Sequence, residues 1–590
     1  MISQQHWSED PGRLLPKTVA QLEGASAARL TLDRLILRLY YGRPLAVPTL
    51  DPRRPSYALA VTDSVRAGGF SLMRMVIDTA ASMVVRIPAV KVLPVGQTFK
   101  RQRAARLMGR FVNGVFYAND IGDLAYQVFI DACTTRCGAI KVSVENGAIK
   151  LERVDPLTLY WDQDEGKNPR NLYQDHAVPR RSLAARFPEH AAAIMELPGY
   201  APPQMWGVDL AQPSEKDTVR VVEAWSLTEG DQKGKHVIYA AGKGGAALVL
   251  ESEAYDHERH CIVPLRWSNA YKGFGGRPLG ETIIPYQLWT NKIVKVIGES
   301  LDGAVPRWLV HANAQIPGVT SVPLSALIYR GNVAPKCEAP QVVSADLYTW
   351  QRELKMGAFE EAGINAQASQ GTRPTGLNSA PSQREWFDIS NTRLINPSKL
   401  FEHLFRDVAR VVVMLGPKAK VTALDGRTLS ELRWDEIGPL KEGEYGLEIQ
   451  SVSALPLTVS GRLDFVKELM SEGLINQNDG RRMLQLPDLE AVLDRENAAQ
   501  ELADRQIECA LWDGKYIAPF ACQNLLDLVI DGGEKQYMQA MLNGTFPAEN
   551  MELLRRLIAE AKLLRPAPAP VNNVPPAPPA QTAPAMAAAA

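Results

Sequence analysis

Residues 280–303 constrain the chain most. Ile283, Ile284, Leu288, Ile293, Val294, Ile297 and Leu301 recur at helical spacing, and Gly303 with Pro306 stops the pattern. A second helical pattern runs over 345–362. Between them lies a Pro-rich segment with strand-like runs at Trp308–His311 and Leu327–Tyr329. That insertion is roughly 40 residues long, well beyond an ordinary helix–helix connection. The pattern therefore predicts two amphipathic rods bracketing a small β-containing body, each rod needing a surface to cover its apolar stripe.

The flanking sequence divides by period. Upstream, 29–41, 57–86, 97–117 and 121–136 read as helical, the last bounded by Gly122 near its start and Gly138 after its end. After Gly138, Ile140, Val142 and Val144 alternate with polar residues, Asn146-Gly147 turns, and Ile149, Leu151 and Val154 continue. Asn-Gly between alternating runs is a strong hairpin signal. Leu157–Trp161 extends this β region, 180–197 is a helical patch, and strand-like runs return at 219–227, 237–240, 247–250 and 261–267. Downstream, 365–379 is rich in Gly, Ser, Thr, Asn and Gln, with Arg373 its only charge, which predicts an exposed loop. A long helical pattern over 381–415 contains Pro397, so a kink is expected there. Mixed β returns over 416–452, and 462–508 and 525–564 are helical. The last residues, 566–590, are almost wholly Pro and Ala, a composition that predicts disorder or polyproline helix. The fold class is α+β.

Composition narrows the function. With 590 residues, 46% hydrophobic and 22% charged, the chain can bury more than one core. Its net charge of −1 lacks the basic excess of a tight nucleic-acid binder, so any DNA partner is expected as a passing cargo. Six cysteines make no disulfide framework; Cys133 and Cys137 share a helical face and read as buried thiols of a reducing compartment. No signal-peptide run occupies 1–16, and no stretch reaches the ~18 apolar residues of a membrane span, which predicts a soluble chain.

Catalytic motifs are sparse. Ala241-Gly242-Lys243-Gly244-Gly245 lacks the spacing and hydroxyl of a phosphate loop and reads as a hairpin turn. Gly273-Phe274-Gly275-Gly276 lacks dinucleotide spacing and reads as a flexible joint. His257 and His260 follow a turn and read as a structural or exposed pair, and no HExxH or GxSxG occurs. Neither an enzymatic role nor a cofactor or metal is expected.

The order of segments resembles that of tailed-bacteriophage portal proteins, particularly the head-to-tail connectors of short-tailed phages. The resemblance covers about 30–564 and includes Val76-Ile77-Asp78-Thr79-Ala80-Ala81-Ser82, Ile87-Pro88, Val154-Asp155-Pro156 through Tyr160-Trp161-Asp162, and Gly280-Glu281 through Gln287 and Asn291. It implies a portal-like plan: an N-terminal arm (1–29), a wing (30–279), a descending stem helix (280–303), a clip (304–343) and an ascending stem helix (344–364). A tunnel loop (365–380), a long kinked helix (381–416), returning wing strands (417–456), a helical crown (457–565) and the Pro/Ala tail (566–590) complete it. The resemblance further implies a homo-oligomeric ring, typically of twelve subunits, at one capsid vertex of the virion, assembled in the host cytoplasm. Double-stranded DNA would pass through it during packaging and ejection. Its partners would be the terminase large subunit, head-tail adaptor or tail proteins, and the major capsid and scaffolding proteins, with no membrane.

Repetition around such a ring would turn each cation into a ring of charge. The expected DNA-channel residues are Arg373, Thr372 and Asn378 in the loop, with Lys292, Lys295, Arg352 and Lys355 on the two rods. Arg307, Trp308, His311, Tyr329, Arg330 and Lys336 are the expected docking residues of the clip. Two other readings stay open: another virion structural component, such as a tail or baseplate protein, and an enzyme such as a nuclease or hydrolase with dispersed site residues.

Overall fold

The computed structural model describes residues 11–42, 71–95, 99–200, 217–228, 233–242, 247–303, 307–309, 336–338, 344–364, 392–425, 428–437, 445–450, 499, 502–521, 523–544 and 546–565, together with 463, 466, 467, 470 and 471. The chain divides into two compact units: one of residues 1–93, 106–439 and 445–454, the other of 94–105, 440–444 and 455–590. Helix and sheet are both abundant.

The first unit opens with a helix longer than the sequence pattern suggests, α1 (Pro11–Tyr40). Leu15, Val19, Leu22 and Leu30 form its buried stripe. Ser71 then caps α2 (Leu72–Val84): its Oγ accepts from Arg74 N at 3.3 Å and donates to Leu39 O at 3.1 Å, tying α2 to the end of α1. β1 (Ala89–Pro94), α3 (Phe99–Ala118) and α4 (Ile121–Thr134) follow.

β2 (Gly138–Glu145) and β3 (Ala148–Val154) form the expected hairpin. Asn146 and Gly147 both take positive φ, 51° and 77°, the geometry that matches the twist of two antiparallel strands. β4 (Leu159–Trp161) begins a five-stranded antiparallel meander with β5 (Asn171–Pro179), then, beyond α5 (Arg180–Arg186) and α6 (Ala191–Glu196), β6 (Thr218–Ser226), β7 (Lys235–Ala241) and β8 (Ala247–Ala254). Alternation covers both faces from within the chain. Tyr173, Val222, Ala224, Val237 and Tyr239 pack on the α1 stripe. On the opposite face Val219, Val221, Ile238 and Ala240 pack on Leu183 and Ile194 of α5 and α6.

β9 (Ile262–Leu265) pairs with β2, giving the order β3-β2-β9. The short pair β10 (Ser268–Asn269) and β11 (Gly276–Arg277) leads into α7 (Leu279–Gly303). Phe274, in the glycine-rich joint, is buried against Trp161 with ring centroids 5.0 Å apart, and Gly276 N donates to Arg136 O at 2.7 Å. The joint is thus packed rather than loose, because an aromatic side chain between its glycines finds a core partner.

β12 (Arg307–Leu309) pairs antiparallel with β13 (Lys336–Glu338), and α8 (Ala345–Glu361) follows. α9 (Ile395–Leu415) buries Phe401 and Phe405, whose rings meet Phe129 and Phe116 edge-on at 5.8 and 6.1 Å. β14 (Lys420–Asp425), β15 (Thr428–Arg433) and β16 (Tyr445–Gln450) complete this unit; β14 pairs with β15, and β16 with β1. Cys133, Cys137 and Cys261 are free and buried.

The second unit is helical. A π-helical turn (Cys509–Asp513) precedes α10 (Gln523–Asn543) and α11 (Ala548–Leu564), which pack antiparallel through Leu525, Leu526, Val529, Leu554 and Leu557. Lys562 meets Glu534 at 2.6 Å, and Arg565 meets Asp527 at 3.0 Å.

Candidate functional site

The helix pair α7–α8 is buried at one end and bare at the other. At its root, Gly280 lies against α1 and α4: a Cβ there would sit 2.3 Å from Ile36 Cγ2 and 3.2 Å from Cys133 O. Glu281, one residue on, takes Arg136 Nη2 at 3.3 Å and Arg277 Nε at 3.5 Å. Arg136 Nε also approaches Asp33 of α1 at 3.7 Å. Burial pushes the Asp33 carboxyl up to about 6, although Arg29 and Arg136 both favour its ionised form.

A second tether lies further along. Gln287 Oε1 accepts from Met73 N at 2.9 Å, satisfying a donor that the first turn of α2 cannot satisfy itself, and Gln287 Nε2 donates to Asn291 Oδ1 at 2.8 Å. Pro285 stands within α7. It has no N–H to give the carbonyl of Glu281, four residues before it. The helix buries Ile283, Gln287, Thr290 and Ile293 and no described residue after them. With 25 residues α7 is about 37 Å long, so its later turns project beyond these contacts.

The pair also carries an exposed apolar surface along its length. Leu288, Trp289 and Val296 of α7 and Tyr348, Trp350 and Met356 of α8 are between 38% and 48% exposed. Trp289 and Trp350 meet across the pair with centroids 5.3 Å apart. At the far end of α8, Gly363 N donates to Glu360 O at 3.0 Å and Ile364 N to Phe359 O at 2.9 Å, closing the helix. Arg393 Nη1 donates to the same Glu360 O at 3.0 Å, which joins the start of α9 to the end of α8.

The expected channel cations are placed in part. Lys292 and Lys295 are exposed on α7; Lys292 Nζ lies 4.8 Å from the Trp289 ring centroid, a cation–π contact on the apolar face itself. Arg352 is exposed on α8 and Lys355 half-buried. Thr372, Arg373 and Asn378 lie outside the described residues, as do His311, Tyr329 and Arg330. Arg307 and Trp308 lie on β12 opposite Lys336 and its neighbours on β13, with Trp308 paired to Cys337. Pro397 occupies the first turn of the described helix α9, where a missing N–H costs nothing, after a 3-10 turn at Thr392–Leu394. Residues 381–391, over which the longer helix was expected, are not described.

Several features escaped the sequence. Beside the root is a cleft of about 360 Å³ lined by Arg29, Arg136, Trp161, Gln163 and Lys272, among others. Arg29 stacks 4.0 Å over Trp161 and donates to Leu159 O at 3.0 Å. A half-buried charge cluster joins the two larger sheets: Lys141 Nζ to Glu223 Oε2 at 2.5 Å, with His176 Nε2 at 3.7 Å from Oε1. Burial opposes ionisation of Glu223, but Lys141 and His176 outweigh it and hold that carboxyl below its usual range. Trp225 closes the cluster, with His236 stacked on it at 5.3 Å. His257 and His260 separate: His257 meets the Tyr255 ring edge-on, while half-buried His260 sits 2.8 Å from Pro169 O with its pKa lowered by desolvation to about 4. Among the described residues no group of three or more His, Cys, Asp and Glu could hold a metal ion, and no helix is long and apolar enough to cross a membrane. No family model matches this chain, and a search of the curated proteins finds no match to it either.

Proposed function

We propose that this chain is a portal protein of a tailed bacteriophage, a ring-forming channel at one capsid vertex through which DNA is packaged and ejected. The observation that carries the reading is the helix pair α7–α8, anchored at one end, bracketing a strand-bearing insertion, and exposing six large apolar side chains. Exposed apolar clusters of this kind mark contact surfaces. In a closed ring, the contact is heterologous: one face of each copy covers a different face of the next, and no copy is left bare.

On this reading the first unit supplies the wing, α7 and α8 the stem, residues 304–343 the clip, and the C-terminal helical unit the crown. The work is conformational and structural, with nucleotide hydrolysis supplied by a separate terminase motor that docks at the clip before the tail adaptor does. Lys292, Lys295, Arg352 and Lys355, with Thr372, Arg373 and Asn378 of the loop, contact DNA phosphates transiently. Near-zero net charge suits such passage, since tight binding would hold the cargo.

Negative-stain imaging of the purified protein tests the reading. Annular particles with a central hole are the expected result. Monomers alone at every concentration would reject it, and fibres or solid discs would favour a tail or baseplate component.

A further inference from the structure

We propose that the C-terminal Pro/Ala tail docks on the outer face of α10, covering the stripe formed by Met538, Met541 and Leu542. These three side chains stand at i, i+3 and i+4 and are 57%, 63% and 86% exposed. The core-facing side of the same helix is filled by Leu525, Leu526, Val529, Ile530 and Ala540. Among the described residues, the stripe takes no part in that core.

The tail starts on the right face. Arg565, the last described residue, pairs with Asp527 at 3.0 Å. Asp527, Asp531, Lys535, Met538 and Leu542 follow one another at spacings of three and four, so they share one side of α10. Fifteen residues of helix separate Asp527 from Leu542, a distance of about 22 Å. Residues 566–579 in polyproline form span about 40 Å. That reach is ample to run along α10 and lay Pro575-Pro576-Ala577-Pro578-Pro579 over the stripe.

The chemistries match. From Pro566 to Ala590 no side chain is charged, so docking strips no ion of water. A polyproline run is already extended and loses little freedom on binding, which is why such segments serve as ligands for apolar grooves. Methionine side chains are flexible and polarisable, suited to the irregular profile of proline rings. An apolar, uncharged tail tethered at one end of an apolar stripe also has a high effective concentration there, favouring it over a segment arriving from solution.

Residue-resolved methionine oxidation of the full chain by hydrogen peroxide, read by mass spectrometry, tests this. Met195, which is 56% exposed on the other unit, serves as the reference. Met541 should oxidise several-fold more slowly than Met195. That protection should vanish in a full chain carrying Pro575→Gly, Pro576→Gly, Pro578→Gly and Pro579→Gly, with Met195 unchanged. Oxidation of Met541 as fast as Met195 in the wild type would overturn the proposal. So would protection that survives the glycine substitutions, because a second copy would then be the cover.

Discussion

The five-stranded sheet and the helix pair α7–α8 belong to the same unit, yet they solve burial in opposite ways. The sheet is a middle layer: α1 covers one face and α5 with α6 the other, and its strands alternate residues between two cores. Among the described residues, the helix pair is a layer with one side left uncovered. Its root is held by Gly280, Glu281 and Gln287, but Leu288, Trp289 and Val296 along α7 and Tyr348, Trp350 and Met356 along α8 meet water. On the proposed reading, a region whose contacts are complete within the chain carries the stability of the subunit, and a region left incomplete carries its assembly. Substitutions in the two should therefore fall on different measurements.

The largest effect on subunit stability belongs to the satisfied side. Phe401→Ala removes a fully buried ring that meets Phe129 and Phe405, and should cost about 3–5 kcal/mol in denaturant unfolding. Next comes pH. Asp33 is 1% exposed with its pKa raised from 3.8 to about 6, so the folded state favours its protonated form. Its contribution is complete below about 4 and is lost as pH rises through about 6, an effect on the order of 3 kcal/mol. Asp131, raised to about 6 by burial despite Arg153, acts with the same sign. Asp33→Asn should flatten the slope of stability against pH between 4 and 7, and an unchanged slope would show that Asp33 ionises without cost.

Gly280→Ala sharpens the boundary between the two regions. A methyl 2.3 Å from Ile36 must displace the root of α7, at about 1–3 kcal/mol, and amide exchange should quicken in the first turns of α7 while the sheet is unaffected. The smallest effect on the subunit is expected from Trp350→Ala. At 40% exposure its loss should change monomer stability by only about 0.5 kcal/mol, as is usual for surface positions. A cost as large as that of Phe401→Ala would dissolve the contrast between sheet and rod.

What the sequence disclosed depended on how local the cause was. The hairpin at Asn146-Gly147 was legible because the turn demands two left-handed residues, and the pair names itself. The two rods were legible from their period. The first half of α1 was not, because Gly24 and Ser26 dilute its stripe and Pro16 interrupts it, so 1–29 read as an arm. Phe274 and the glycines around it looked like a joint because only the folded chain shows Trp161 beside them. The root network was out of reach for the same reason: Asp33, Arg136 and Glu281 lie about a hundred residues or more apart, and only packing brings them together. The exposed tryptophans were hidden by the opposite logic. Trp289 stands beside the stripe residue Leu288 and Trp350 lies within the second helical pattern, and nothing in such a pattern says which side chains the chain will leave uncovered.

Sedimentation velocity across a concentration series, comparing the wild-type chain with a Trp289→Glu, Trp350→Glu double variant, tests most directly whether the bare face of the rods is where copies meet. One large, discrete species is expected for the wild type and a folded monomer for the variant, with matching thermal unfolding of the sheet-bearing unit. A variant that assembles as the wild type does, or a wild type that stays monomeric throughout, would contradict that expectation.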